Sequence, residues 1–219
     1  MYNNQNYGCL MLAIEPKFGK NIVKFGKKMI PEKHLYLNKA DDINGYESAP
    51  HITGKYGFTT DLTDNDIKQI ISELTGFINE EMNDIIYVNS GDGGGRGRTL
   101  NGDESRVNTN SVTCEGNEDK IIKPKKKLLL GINGISCFEC RDYDVVKLDI
   151  LQNPILNKIH ALAPRFPHID TQEKYVPHIT IAYIKKGLFP HTKTGLNIPV
   201  QISGFHYSGI DNSKRYYEI

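Results

Sequence analysis

The sequence predicts an α+β chain organised as two related lobes. Two observations carry that expectation. Strand-like and helix-like patterns alternate along the chain, and one seven-residue segment occurs twice, each copy preceded by a strand and a helix. Pro50-His51-Ile52-Thr53-Gly54-Lys55-Tyr56 and Pro177-His178-Ile179-Thr180-Ile181-Ala182-Tyr183 agree at five of seven positions and lie 127 residues apart. A tandem solenoid would repeat more often and at a shorter period.

Taken in order, Gly8 to Glu15 is a short apolar run that reads as a central strand. Phe18, Ile22, Phe25 and Met29 recur at helical spacing and Pro31 follows, which predicts an amphipathic helix over Phe18 to Ile30. A polar stretch, Asn38 to Ala49, leads into a strand at His51 to Thr59. Asp61 to Asn83 is the clearest helix, with Asp61 and Thr63 at its start, early acids, and Ile67, Ile70, Ile71, Leu74, Phe77 and Ile78 on one side. Ile135 to Glu139 and Val145 to Ile150 read as strands. Pro154 to Phe166 reads as a helix with Ile155, Leu156, Ile159, Leu162 and Ala163 on its stripe. Tyr175 to Ile184 and Ile198 to Tyr207 are further strands, and Arg215 to Ile219 an edge strand.

The stretch 89–127 fits neither pattern. It runs from Gly91-Asp92-Gly93-Gly94-Gly95-Arg96-Gly97-Arg98 through polar residues to Lys123-Pro124-Lys125-Lys126-Lys127. No Gly-Lys-Ser/Thr follows the glycines as a P-loop requires, and they do not open a helix after a strand. Structureless connections of this length are uncommon inside a compact domain. A flexible insertion is expected, the other reading being an ordered lid that brings Arg96 and Arg98 to a phosphate. The expected organisation is one bilobal domain over 1–219, with a first lobe at about 1–88, the insertion at 89–127, and a second lobe at 128–219.

Composition narrows the function classes. The chain has 219 residues, 38% of them hydrophobic and 24% charged, which is enough apolar material for a packed core. A net charge of +1 gives no general attraction to long duplex nucleic acid or an anionic membrane, so an anionic partner must be held locally. No apolar stretch approaches the roughly 20 residues of a membrane helix. Met-Tyr-Asn-Asn-Gln-Asn has neither a basic region nor an apolar core of the secretory kind. A cytoplasmic protein is expected. Of the four cysteines, Cys137 and Cys140 have no second pair to complete a zinc site, and in a strand they point to opposite faces. Together with Cys9 and Cys114 they are expected to be structural thiols in a reducing compartment.

The repeated motif carries the chemistry. In a strand, His and Thr at i and i+2 share one face while the isoleucine between them turns to the core. Two such strands side by side gather two imidazoles and two hydroxyls. With an unperturbed pKa of about 6.5, one imidazole can accept a proton while the other gives one. Cleaving a phosphodiester needs both acts, and threonine hydroxyls can donate to non-bridging oxygens as charge builds. His51, Thr53, His178 and Thr180 are therefore the candidate catalytic residues. A single such motif reads as well as a structural strand; the duplication makes it a site. Neither copy has a carboxylate or third histidine at ligand spacing, so no metal and no cofactor is expected.

These motifs, each opening on Pro and running into Tyr, resemble the 2H phosphoesterase superfamily, which includes the 2′–5′ RNA ligase-like proteins. Tyr143 to Ile150, a helix, and Lys174-Tyr175-Val176-Pro177-His178-Ile179-Thr180 resemble its second lobe. Gly45-Tyr46-Glu47-Ser48-Ala49-Pro50-His51-Ile52-Thr53 resembles the first motif of phage-encoded members. The resemblance implies two pseudo-symmetric lobes whose antiparallel sheets form a concave cleft with helices outside. It implies a metal-independent phosphodiesterase acting on cyclic or short nucleotide substrates, in phage members on the cyclic oligonucleotide signals of antiviral immunity (anti-CBASS activity), which would place it in a host cytoplasm. Two other functions stay open: an RNA 2′,3′-cyclic or 2′–5′ phosphodiesterase acting on RNA ends, and a protein that binds a cyclic nucleotide without cleaving it.

Substrate contacts are expected from four more residues. Lys55, two after Thr53, shares its face in a regular strand and is the candidate phosphate cation; the second-lobe equivalent is Ala182. Tyr56 and Tyr183, three after the threonines, belong to the opposite face unless a bulge re-aims them. Lys185 and its neighbour Lys186 sit where they could rim a cleft. His34, His160, His168, His191 and His206 lie outside the repeat and receive no catalytic role.

Overall fold

The computed structural model describes residues 7–38, 43–88, 128–170, 174–189 and 192–219. The expectations for Arg96, Arg98, Cys114, His191 and the glycine-rich stretch lie outside the described residues. In chain order the elements are β1 (Gly8–Ile14), α1 (Pro16–Met29), β2 (Leu37–Asn38), β3 (Ile43–Asn44), β4 (His51–Phe58), α2 (Asp64–Val88), β5 (Leu128–Glu139), β6 (Tyr143–Ile150), α3 (Pro154–Leu162), β7 (His178–Lys185), β8 (Lys193–Ser208) and β9 (Lys214–Glu218). The fold is α+β: a large antiparallel sheet with three helices, plus the short β2–β3 ladder.

The large sheet runs β1-β4-β7-β6-β5-β8-β9, and β1 also pairs with β8. The long β8 serves both ends, pairing with β5 over 193–202 and with β1 over 202–208. Two four-stranded halves result, β4-β1-β8-β9 and β7-β6-β5-β8. They meet where β4 lies against β7, with Ile52 and Ile179 as register partners. Tyr175 adds a second tie, its hydroxyl donating to the Thr53 carbonyl at 2.8 Å.

Packing crosses between the halves. The core face carries Leu10, Leu12, Ile52, Val146, Leu148 and Ile179, all at most 5% exposed. α1 follows β1 in the chain yet packs on β7, while α3 follows β6 and packs on β4. Both helices start on Pro behind a side-chain cap: Glu15 accepts from the Phe18 amide at 2.9 Å, and Asn153 from the Ile155 amide at 2.8 Å. α2 buries Ile67, Ile70, Leu74 and Ile78 and is tied to β9 through Asp64, which accepts from Arg215 and Tyr217.

Several boundaries differ from expectation. β5 begins at Leu128 rather than Ile135 and β8 at Lys193 rather than Ile198, because the two strands pair with each other from Leu128–Ile202 to Ile135–Lys193. Asn197, with φ of 45°, bends β8 there. β7 starts at His178 rather than Tyr175. α1 buries Gly19, Ile22 and Gly26, leaving Phe25 43% exposed. The reason is close approach: a Cβ on Gly26 would stand 2.6 Å from Cγ2 of Ile181.

Candidate active site

Each histidine opens its strand. His51 is the first residue of β4 and His178 the first of β7, and both are half-buried. With Ile52 opposite Ile179 in antiparallel register, His51 is set beside Thr180 and His178 beside Thr53, on the face away from the two isoleucines. Both imidazoles are anchored alike. Nδ1 of His51 bonds the Ala49 carbonyl at 3.0 Å, and Nδ1 of His178 bonds the Val176 carbonyl at 2.7 Å. A carbonyl oxygen only accepts, so Nδ1 carries the proton in each ring and Nε2 is left for a substrate. His168 makes the same contact with Phe166; the anchor gains its meaning from the paired strands. Ahead of His51 the turn is itself braced, Glu47 accepting from the Ala49 amide at 2.9 Å.

A bulge follows each threonine. Leu10 pairs with Lys55 and Met11 with Thr53, leaving Gly54 unpaired. In the other half Val146 pairs with Ala182 and Lys147 with Thr180, leaving Ile181 unpaired. One extra residue inverts the alternation beyond it. Tyr56 and Tyr183 therefore turn to the histidine face, Tyr56 being 41% exposed and set edge-on to Tyr7. Lys55 turns the other way. It is 4% exposed, and its ammonium pairs with Asp170. The expectation that Lys55 shares the face of Thr53 is thus corrected, since it assumed an unbroken strand. Lys185 is exposed at the end of β7, with its ammonium on the Lys33 carbonyl at 3.0 Å. Lys186 holds the carbonyls of Cys140 and Arg141.

The cation on the histidine face comes instead from β6. Lys147 pairs with Thr180, and Asp149 with His178. The Lys147 ammonium donates to Ser136 Oγ at 2.7 Å, pairs with Asp149, and lies 4.4 Å above the Phe138 ring. Phe138 in turn meets the His178 ring edge-on at 4.9 Å. Burial holds the His178 pKa below its ordinary value; the Val176 hydrogen bond opposes this, the Lys147 and His51 charges reinforce it, and Asp149 opposes it. In the first half the corresponding row is Thr53, Met11 and His206, with His206 packed against Tyr216 at 4.9 Å. Burial, then the His51 and Lys214 charges, hold His206 low as well. Sequence reasoning missed Lys147 and Asp149, although their alternation with Val146, Leu148 and Ile150 already marks the non-core face of a strand.

Two cavities stand out. The larger, about 830 Å³, lies under α1 and is lined by apolar groups such as Phe18, Ile132 and Leu148, away from the paired motifs. The second, about 630 Å³, opens beside His51. Among the described residues no three His, Cys, Asp or Glu side chains gather as metal ligands, and no helix is long and apolar enough to cross a membrane.

No family model matches the chain, and no curated protein sequence matches it. Solved structures are similar across nearly their whole length. A phosphoesterase is 14% identical, with 98% of this chain and 95% of that one covered, at a TM-score of 0.47. Escherichia coli LigT complexed with 3′-AMP is 15% identical over 98% and 95%, also at 0.47. Kluyveromyces marxianus Usb1 is 8% identical over 98% and 99%, at 0.45.

Proposed function

We propose that this chain is a phosphodiesterase that cleaves small nucleotide substrates, with His178 taking a proton from the attacking group and His51 giving one to the departing oxygen. The supporting observation is the pair of imidazoles, one from each half of the sheet, each held by a carbonyl at Nδ1, with no hydrogen bond to Nε2 among the described residues. His178, held neutral, is the base; His51 is the acid. Where the substrate has a 2′-hydroxyl, His178 takes its proton, the 2′-oxygen bonds to phosphorus, the bond from phosphorus to the 5′-oxygen breaks, and His51 protonates that oxygen. The products are a 2′,3′-cyclic phosphate and a free 5′-hydroxyl. Thr53 and Thr180 donate to the non-bridging oxygens, and the Lys147 ammonium beside Thr180 opposes the charge that builds there. Tyr56 and Tyr183, turned to this face, offer rings for bases to stack on.

Within this reading the finer assignment is a cyclic oligonucleotide, and with it a viral role in removing antiviral nucleotide signals; two base-stacking rings and a near-neutral net charge suit a compact ligand. The test is mass spectrometry after incubation with cyclic dinucleotides and trinucleotides beside RNA ends bearing 2′,3′-cyclic phosphates. Linear or shortened products are expected. His51→Ala and His178→Ala should each lower turnover by about 10² to 10⁴. Ligand recovered bound and intact would count against catalysis, and variants with native turnover against the roles of the two histidines.

A further inference from the structure

Resting on that reading, we infer that the site holds a second anion subsite on the His51 side, formed by Lys20 and Lys214, so that the preferred substrate carries another phosphate on its leaving nucleotide. The cavity of about 630 Å³ beside His51 lies within the roughly 300–1,000 Å³ range of small-molecule sites. It is lined by His51 but not His178. Because His51 protonates the departing oxygen, the cavity next to it receives whatever that oxygen belongs to.

Its charged lining comes from three elements that only the fold brings together: Lys20 in the second turn of α1, Lys214 at the start of β9, and Glu47 ahead of β4. Neither lysine has an ion-pair partner among the described residues. The Glu47 carboxylate accepts from the Ala49 amide in the turn that anchors His51. Two ammonium groups against one engaged carboxylate make a positive enclosure, and His206, also on the wall, adds a ring nitrogen. A terminal 2′,3′-cyclic phosphate opened by water releases no nucleotide and would leave this space empty. An internal linkage, in a linear or cyclic oligonucleotide, would fill it and present the next phosphate to the lysines.

The experiment compares the dinucleoside monophosphate ApA with its 3′-phosphorylated form ApAp. Native protein is expected to cleave ApAp with a kcat/KM about tenfold or more above that for ApA, as for a charge-assisted contact. The ratio should shrink as salt is raised, and should fall toward one in Lys20→Gln/Lys214→Gln, whose exposed side chains are replaceable without loss of the fold. Equal kcat/KM for the two substrates in native protein overturns the subsite alone. An undiminished preference in the double variant overturns its assignment to these lysines. Cleavage of neither, with cyclic dinucleotides and trinucleotides also recovered intact, overturns the phosphodiesterase reading, and this inference falls with it.

Discussion

His178 stands between influences of opposite sign. Burial favours the neutral ring, the Lys147 ammonium and His51 add to that, and Asp149 and the Val176 carbonyl oppose it. A base works in its neutral form, so activity should rise with pH through a value below the ordinary histidine pKa of about 6.5. Lys147→Met removes one depressing charge and leaves Asp149 facing the ring, so the acid limb of the kcat/KM profile should move up. Asp149→Asn should move it down. A shift in the same direction for both, or none, would show that this pair does not tune the base. The sign carries to stability: on acidification the unfolded chain protonates this histidine first, so its effect is to lower stability as pH drops below about 6.5.

The two bulges decide which side chains the strands of the repeat present. At Gly54 an added Cβ would lie 2.8 Å from Cγ2 of Ile159 in α3 and 3.2 Å from the Leu10 carbonyl. At Ile181 the sizes are exchanged, the large residue on the strand meeting Gly26 of α1. Gly54→Ala and Gly26→Ala should each cost about 1–3 kcal/mol through overpacking, read as a lower denaturant midpoint at unchanged m-value. Lys55 lies on the far side of its bulge, so Lys55→Met should retain native kcat, and an apolar replacement there should cost little stability. Asp170→Asn, which strips the buried ammonium of its partner, should be the more destabilising of the two. A collapse of kcat in Lys55→Met would return that lysine to the phosphate.

The fold sets one imidazole in each half of the sheet, so under the proposed mechanism the two should act as one unit. The double variant His51→Ala/His178→Ala should lose scarcely more activity than the worse single variant, because the step needs both proton transfers and either loss already removes one. Multiplying losses would mean independent roles. Activity should also survive EDTA, and a restored requirement for a divalent ion would move the chemistry to a metal. Much of this was legible in one dimension: the duplicated His-x-Thr, the alternation that sets His and Thr together and isoleucine inward, and the existence of the two helices expected at Asp61 to Asn83 and Pro154 to Phe166, which run over Asp64–Val88 and Pro154–Leu162. Those are local properties, carried by residues one to four apart. Whether Lys55 or Tyr56 shares the histidine face was not local. It turned on Gly54 finding no partner on β1, just as the placement of Lys147 turned on lying across from Thr180, and the grouping of Lys20 with Lys214 on α1 and β9 converging. Side-chain direction past a bulge, and proximity between distant segments, are set by which strand pairs with which and in what register, and no run of neighbouring residues encodes that alone.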